Sequence, residues 1–517
     1  MNRLINFLLI LILVSIWSSC RNDLEFTPSS VRLEFSKDTV YLDTVFTNIG
    51  SSTYNLKVYN NSDENILIPN LALGRGETSE YRLNVDGIPG KIFENIELLA
   101  KDSMFVFIET TIDINNLPIA NGEFLYTDFI EFGDAANSQK VELVTLVKDA
   151  VFIYPDRDNT TGIIETLTLN IDGEPVETEI QGRYLLPTEL TFTNEKPYVI
   201  YGYAAVPETE TLVINAGARV HFHADSGIIV PQNASINING ELSADPDLLE
   251  NEVIIEGDRL EPGFSDVPGQ WGTIWLLEGS LNNTINYTTI KNSTVGILSD
   301  GNADAITDKL TVTNSQIYNS SNFGILGRAT SIKGENLVIN NSGQSSFAGT
   351  VGGKYNFTHC TISNYWNNSF RQFPSLYLNN FLIDADNNIL VNDLTAANFN
   401  NCIIYGNDNP EAILEKEDDA VFDFKFTNCL IRFDNSNNNF TGPEYDFNNT
   451  DLYESCIFNE EPDFLNVELN EMIIGEESTA INQANPVFAS QVPFDLLNND
   501  RTTSPDIGAY QHIIFED

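Results

Sequence analysis

Cations are scarce in this chain. Its 517 residues carry 26 Lys and Arg against 74 Asp and Glu, a formal net charge of −48 at pH 7. The acids are spread along the chain, so they read as a solvated surface. A field of that sign excludes nucleic acid and anionic lipid as partners. It admits an anionic polysaccharide only with calcium between the two. Histidine is nearly missing, at 221, 223, 359 and 512. His221 and His223 alternate on a strand face and read as surface residues. With five cysteines and no CxxC pair or His-Cys cluster, zinc has no ligand set. GxSxG, P-loop and HExxH patterns are absent, which removes the common nucleophile, phosphate and metalloprotease chemistries. Beyond the first twenty residues no apolar run is long enough to span a bilayer as a helix.

What is present is a repeat. Phe357-Thr-His-Cys360-Thr-Ile362, Phe399-Asn-Asn-Cys402-Ile-Ile404, Phe426-Thr-Asn-Cys429-Leu-Ile431 and Tyr453-Glu-Ser-Cys456-Ile-Phe458 share one pattern, and the last three cysteines are 27 residues apart. A fixed period of this size means stacked units. The closing apolar residue extends backward as Ile290, Ile317, Val338, Ile362, Leu382, Ile404, Ile431 and Phe458. Two residues before it stand Thr288, Ser315, Asn336, Cys360, Asn380, Cys402, Cys429 and Cys456. Offsets of 0 and −2 share one strand face. The offset of −5 (Ile285, Val312, Lys333, Phe357, Tyr377, Phe399, Phe426, Tyr453) has the wrong parity. A bend between −5 and −2 is therefore expected, and near Lys333 the inward place passes to Ile332. Asn-rich turns between short β-branched and aromatic segments predict a parallel β-solenoid. In such a stack Cys360, Cys402, Cys429 and Cys456 form a core ladder. Free buried thiols fit it better than disulfides, which parallel Cβ vectors would strain.

The N-terminus has Arg3, an apolar stretch from Leu4 to Trp17, and Ser18-Ser19-Cys20. That is the layout of an export signal. It resembles a bacterial lipoprotein signal, with residues 1–19 removed and Cys20 lipidated, although Trp17 stands where such signals usually carry Leu. Residues 20–30 follow as a polar tether. From 31 to 150, alternating segments such as Val31–Phe35, Asn55–Asn60, Tyr81–Val85, Met104–Ile112 and Val141–Val147 predict a β-sandwich. Asp43–Gly50, Tyr54–Asn61 and Phe93–Ser103 resemble immunoglobulin-like domains of the ASH and HYDIN group, which implies a spacer or binding scaffold. Residues 151–204 are less regular and read as a connector.

Residues 205–517 resemble bacterial right-handed parallel β-helix proteins of the pectate-lyase-like superfamily. The resemblance rests on Leu212–His223, Gly227–Val230, Ala234–Gly240, Pro268–Ile274 and the closing Ser504-Pro-Asp-Ile-Gly-Ala-Tyr510, where Gln511 replaces the usual Glu. The expected fold is all-β, an immunoglobulin-like sandwich followed by a right-handed parallel β-helix. The expected place is the cell envelope, anchored by lipid, at the outer-membrane surface of a Gram-negative bacterium. The expected function is non-catalytic, with the β-helix as a glycan- or surface-binding scaffold.

The rival reading is a polysaccharide lyase or glycoside hydrolase. A lyase needs a base and carboxylates holding calcium, and a hydrolase needs two carboxylates. The candidates are Asp384 and Asp386, which alternate, with Lys354, His359 and Arg371 one coil earlier. Gly352–Phe357 and Tyr365-Trp366 would supply aromatic surface for sugar rings. The alternative for the same residues is an Asn/Asp-rich turn beside core aromatics. No cofactor is implied. Calcium would suit an oxygen-rich loop such as Glu415–Asp419, although no EF-hand or nonapeptide repeat is present.

Overall fold

A computed structural model describes residues 25–28, 32–116, 123–134, 137–171, 173–246, 248–302 and 306–515. The signal 1–19 and Cys20 lie outside the described residues. Among the described residues no helix is long and apolar enough to cross a membrane. The chain divides into two compact units, 1–149 and 150–517. Both are built almost wholly from strands.

The first unit contains two sheets. One runs Thr27–Pro28, Ile66–Leu73, Glu123–Phe132, Gln139–Lys148, Thr39–Phe46, with Ile92–Leu98 also on Ile66–Leu73. The other runs Glu34–Phe35, Tyr54–Tyr59, Ser103–Thr110, Tyr81–Val85, Ile88–Gly90. The sequence alternates, so each strand buries every second side chain. Leu56, Val58, Leu83, Val85, Val106 and Ile108 of one sheet meet Val40, Leu42, Ile68, Leu71, Val141 and Leu143 of the other in one core. At about 25 cal/mol per Å² of apolar area, that shared face is the main stabilising term of the unit.

The second unit carries a 27-stranded sheet in which most strands pair parallel with the strand three places along. Three ladders result. One passes through Arg219–Phe222, Val253–Gly257 and Thr288–Lys291. Another passes through Gly227–Val230, Ile274–Leu276 and Val295–Asp300. The third passes through Thr211–Asn215, Ser235–Asn239 and Asn283–Asn286. Pairing begins well before residue 205. Val151–Ile153 pairs parallel with Tyr198–Ile200, and Thr191–Phe192 with Thr211–Asn215. The stretch read as a connector thus supplies strands to the same sheet. Strands of two or three residues carry no legible period, which is why the sequence hid them.

Register in the stack fixes the inward columns. Ile290, Ile317, Ile339, Ile362, Ile404, Ile431 and Phe458 follow one another. The column expected through Val338 runs through Ile339. Val338 faces the other way, packing with Met472, Ala509 and Tyr510. At offset −5 the chain passes Val312, Gly334, Phe357, Phe399, Phe426 and Tyr453. Gly334, not Lys333 or Ile332, takes that register. A Cβ there would lie 2.4 Å from Phe357 Cδ1, so the aromatic ring occupies the space a side chain would need. Leu382 and Tyr377 are in neither column. Leu382 lies on a two-stranded hairpin, Phe381–Ile383 with Ile389–Val391, and is 49% exposed. The Tyr377–Leu382 spacing imitates the repeat without its register.

The bend required by parity is a residue in the left-handed region. Tyr287, Asn314, Asn336, His359, Asn401, Asn428 and Ser455 all have φ between 39° and 54°. Asn tolerates that conformation better than most residues, which accounts for its recurrence. The corner side chains also bond down the stack: Asn336 Nδ2 donates to Asn314 Oδ1 at 2.9 Å, and Asn314 Nδ2 to Asn286 Oδ1 at 3.0 Å. Inside the corner the rings of Phe357, Phe399, Phe426 and Tyr453 stack with centroids 5.4, 5.0 and 5.4 Å apart and planes within 12°.

The four cysteines beside them are free, with Cys360, Cys402 and Cys429 buried. Three of the thiols donate to a carbonyl one coil earlier: Cys402 to Phe357 at 3.6 Å, Cys429 to Phe399 at 3.2 Å, Cys456 to Phe426 at 3.5 Å. Burial pushes the Cys360, Cys402 and Cys429 thiols well up, while the neighbouring Cys429 thiol draws Cys456 down. Thiolate reactivity follows both exposure and pKa. A thiol-reactive disulfide reagent should therefore label Cys456 first in the folded mature chain and reach Cys360, Cys402 and Cys429 only after denaturation. Fewer than four titratable thiols in denaturant without reductant would mean that the column is disulfide-bonded.

Candidate functional site

Lys354, Arg371, Asp384 and Asp386 are the sequence candidates on this flank. Lys354 leaves the strand Phe347–Thr358 and pairs with Asp308, Nζ to Oδ1 at 2.9 Å. Arg371 points inward. Its guanidinium holds Glu411 in a fork, Nη1 to Oε2 at 2.8 Å and Nη2 to Oε1 at 2.6 Å. Side-chain exposures of 3% and 0% put this pair out of reach of solvent. Glu411 also accepts from Ser375 N, Ser375 Oγ and Asp408 N, each at 2.8 Å. Such a desolvated pair, with both carboxylate oxygens of Glu411 occupied, braces the loops it joins and has no lone pair to offer a substrate.

Asp384 opens the turn of the hairpin. It accepts from Asn388 Nδ2 at 2.8 Å, Asn388 N at 2.8 Å and Asp386 N at 2.9 Å. The Asn388 side chain, then the backbone amides, hold its carboxyl below the ordinary range. This is turn chemistry of the Asx kind. Asp386 is exposed in the same turn. The four candidates thus occupy a strand, a buried brace and a hairpin tip. Among the described residues no group of three or more His, Cys, Asp or Glu could hold a metal ion. The aromatics proposed for stacking are also taken. Tyr355 and Phe357 are fully buried, Trp366 is 7% exposed, and Tyr365 meets Phe464 edge-on at 6.1 Å.

The neighbouring cysteine-bearing strands are covered on their outward side by residues 507–510. Ile507 packs with Ile403, Leu430, Ala480 and Ala484. Gly508 N donates to Asn401 O at 2.9 Å, and Ala509 N to Thr361 Oγ1 at 3.2 Å. Arg501, fully buried, donates to Gly508 O and Ala509 O at 3.1 Å and to Asn336 Oδ1 at 3.0 Å. The Asp-Ile-Gly-Ala-Tyr close is therefore a seal over the outward side of the cysteine-bearing strands. His359 lies beneath it. Its Nδ1 faces Gly508 O at 3.3 Å and its Nε2 faces Asn401 Nδ2 at 2.9 Å. The pairing fits a neutral ring that donates at Nδ1 and accepts at Nε2.

Lys309 escaped sequence reasoning, and of the two histidines read as surface residues His221 is buried, at 6% exposure. Lys309 is fully buried and donates to the carbonyls of Leu276, Leu277 and Asp300. Burial pushes its ammonium down to about 7. His223 stacks on Tyr201 at 4.3 Å and bonds Asp258 Oδ2 at 2.8 Å through Nδ1. That hydrogen bond to Asp258 raises its pKa. The only sequence signal for the pair was the spacing of two coils, which is unreadable without register.

No family model matches the chain, and no curated protein matches it. Solved structures match over about a quarter of it. A family 123 glycoside hydrolase from Clostridium perfringens is 9% identical over 24% of this chain and 30% of its own, at a TM-score of 0.16. The ASH/PapD-like domain 7 of human CEP192 is 11% identical over 26% of this chain and 94% of its own, at 0.16. The E. coli chaperone DraB is 14% identical over 24% of this chain and 58% of its own, at 0.16. The chain thus spans less than a third of the hydrolase and under two thirds of the chaperone.

His359 gives a pH test. Burial first, then the Arg501 charge, holds its imidazole well below the ordinary value. Below about pH 6.5 the unfolded chain binds a proton that the folded ring refuses, so this site's contribution to stability falls as pH drops. His359→Asn keeps a residue suited to the left-handed corner and removes the titration. The melting-temperature advantage of the natural chain over the variant should shrink between pH 8 and pH 5. An advantage that grows on acidification would show that the ring is charged in the fold.

Proposed function

We propose that this chain is a lipid-anchored cell-surface protein of a Gram-negative bacterium, with Cys20 as the lipidated residue. The two-sheet unit is an immunoglobulin-like spacer. The three parallel ladders are the faces of a right-handed β-helix, since parallel strands joined by crossovers take that hand almost always. The β-helix is a non-catalytic scaffold that presents a binding surface for glycan or another surface component. The observation that carries this reading is the fate of the candidate chemistry: Arg371 is locked to Glu411, Asp384 is locked into a turn, and Lys354 is paired with Asp308. The same region instead displays apolar side chains. Phe370 is 85% exposed, and Leu382, Ile383, Ile389 and Leu390 on the hairpin are each about half exposed. Clustered apolar exposure of this kind marks contact surfaces.

Glycan arrays probed with the mature chain, run beside assays for reducing ends and unsaturated products, test the reading. Binding without turnover is expected, and Phe370→Ala should weaken it roughly tenfold if the ring anchors the contact. Release of product by the natural chain, abolished in Asp384→Ala or Asp386→Ala, would reverse the conclusion in favour of a lyase or hydrolase.

A further inference from the structure

The outer face of the five-stranded sheet in the first unit bears a cleft of about 600 Å³, lined by Arg82, Asn84, Pro89, Lys91, Phe107 and Glu109 among others. That volume lies within the range of small-ligand sites. Its residues follow from strand parity. Val106 and Ile108 fill the core at 0% exposure, so Phe105 and Phe107 must point outward, where they are 46% and 42% exposed. Their rings lie 6.0 Å apart with planes 19° from parallel, and the Phe107 ring lines the cleft. Register places polar groups around it. Phe107 faces Asn84 on one neighbouring strand and Asn55 on the other, and Glu109 faces Arg82.

The electrostatics narrow the ligand. Arg82 Nε donates to Glu109 Oε2 at 3.0 Å, and Arg82 Nη1 to Thr111 Oγ1 at 2.9 Å. Lys91 Nζ donates to the carbonyls of Glu77 at 2.9 Å and Ser79 at 2.6 Å. Arg82 and Glu109 are paired and Lys91 is bonded to carbonyls, so the cleft, with the Glu77 carboxylate on its rim, offers fixed donors and acceptors beside an aromatic face. Thr53 Oγ1 also donates to Glu109, and this bond, before the Arg82 contact, keeps the carboxyl low and ionised as an acceptor. An apolar ring face ringed by paired donors and acceptors matches a pyranose, which presents C–H groups on its faces and hydroxyls at its rim.

The geometry points to a binding site for a neutral saccharide on this face, with Phe107 as the stacking platform and Arg82, Glu109 and Asn84 as hydroxyl partners. This goes beyond the reading above, because it puts a ligand on the first unit whatever the stack binds.

Titration calorimetry of the full mature chain with cellohexaose, xylohexaose and mannohexaose, with oligogalacturonate as the acidic counterpart, tests it. At least one neutral probe should bind. Phe107→Ala and Arg82→Gln should each weaken that binding roughly tenfold, since anchors of this kind dominate small interfaces. Phe107→Tyr should retain it, and Phe370→Ala should leave it unchanged. Because both substituted side chains point to solvent, the melting temperature serves as the folding control. Absence of binding by all three neutral probes at millimolar concentration overturns the site, as does tighter binding of the acidic probe. Loss of binding in Phe370→Ala with none in Phe107→Ala would also overturn it, while leaving the proposed function of the stack in place.

Discussion

Parallel pairing of each coil with the coils above and below is the constraint on which the second unit depends. Backbone donors and acceptors in a buried sheet must find partners, so no coil can slip by one residue without turning its whole apolar set outward. The left-handed corner at Asn314, Asn336, His359, Asn401 and Asn428 is what reconciles the two strand directions within each coil. At His359, Asn401 and Asn428 it turns an aromatic residue at offset −5 and a thiol at offset −2 onto the same interior. Everything else is fitted around that corner, including Gly334, whose missing side chain leaves space for the Phe357 ring.

The same constraint decides what is left for function. Residues with chemical capacity are drawn into structural duty: thiols donate to carbonyls in the preceding coil, a histidine bridges the stack and the chain's end, and an arginine and a glutamate brace a loop. The acids that make the chain so negative lie largely on turns and outer faces, where water carries their hydration and their mutual repulsion keeps the surface soluble. What faces outward in quantity is therefore a charged surface interrupted by a few apolar and aromatic patches.

The cysteine-aromatic columns were legible because cysteine is rare here and the last three coils share one length. The alternating strands of the first unit were legible for the same kind of reason, a period of two carried by Leu, Val and Ile. Other features were hidden by physics that leaves no pattern. Val338 stood in for Ile339 because both are apolar and only the corner at Asn336 fixes which turns inward. Tyr377 and Leu382 copied the spacing of a coil, yet Tyr377 sits on a strand of the parallel sheet in another register and Leu382 on an exposed hairpin. Asp384 and Asp386 alternate as a catalytic pair would, and a turn alternates in the same way. The burial of Arg371 against Glu411, forty residues away, and the seal formed by Ile507 to Tyr510 are long-range facts with no local signature. The paired phenyl rings on the first unit could be read as outward-facing from parity, but their neighbours Arg82 and Asn84 come from another strand.

The central claim is that the inward aromatic column holds the coils in register. Equilibrium unfolding of Phe399→Ala tests it most directly. Phe399 lies between the rings of Phe357 and Phe426, at 5.4 and 5.0 Å, and is fully buried. A loss of about 3–5 kcal/mol is predicted, as for a phenyl group removed from a core that cannot collapse. A change within about 0.5 kcal/mol, the size seen for surface substitutions, would contradict the account.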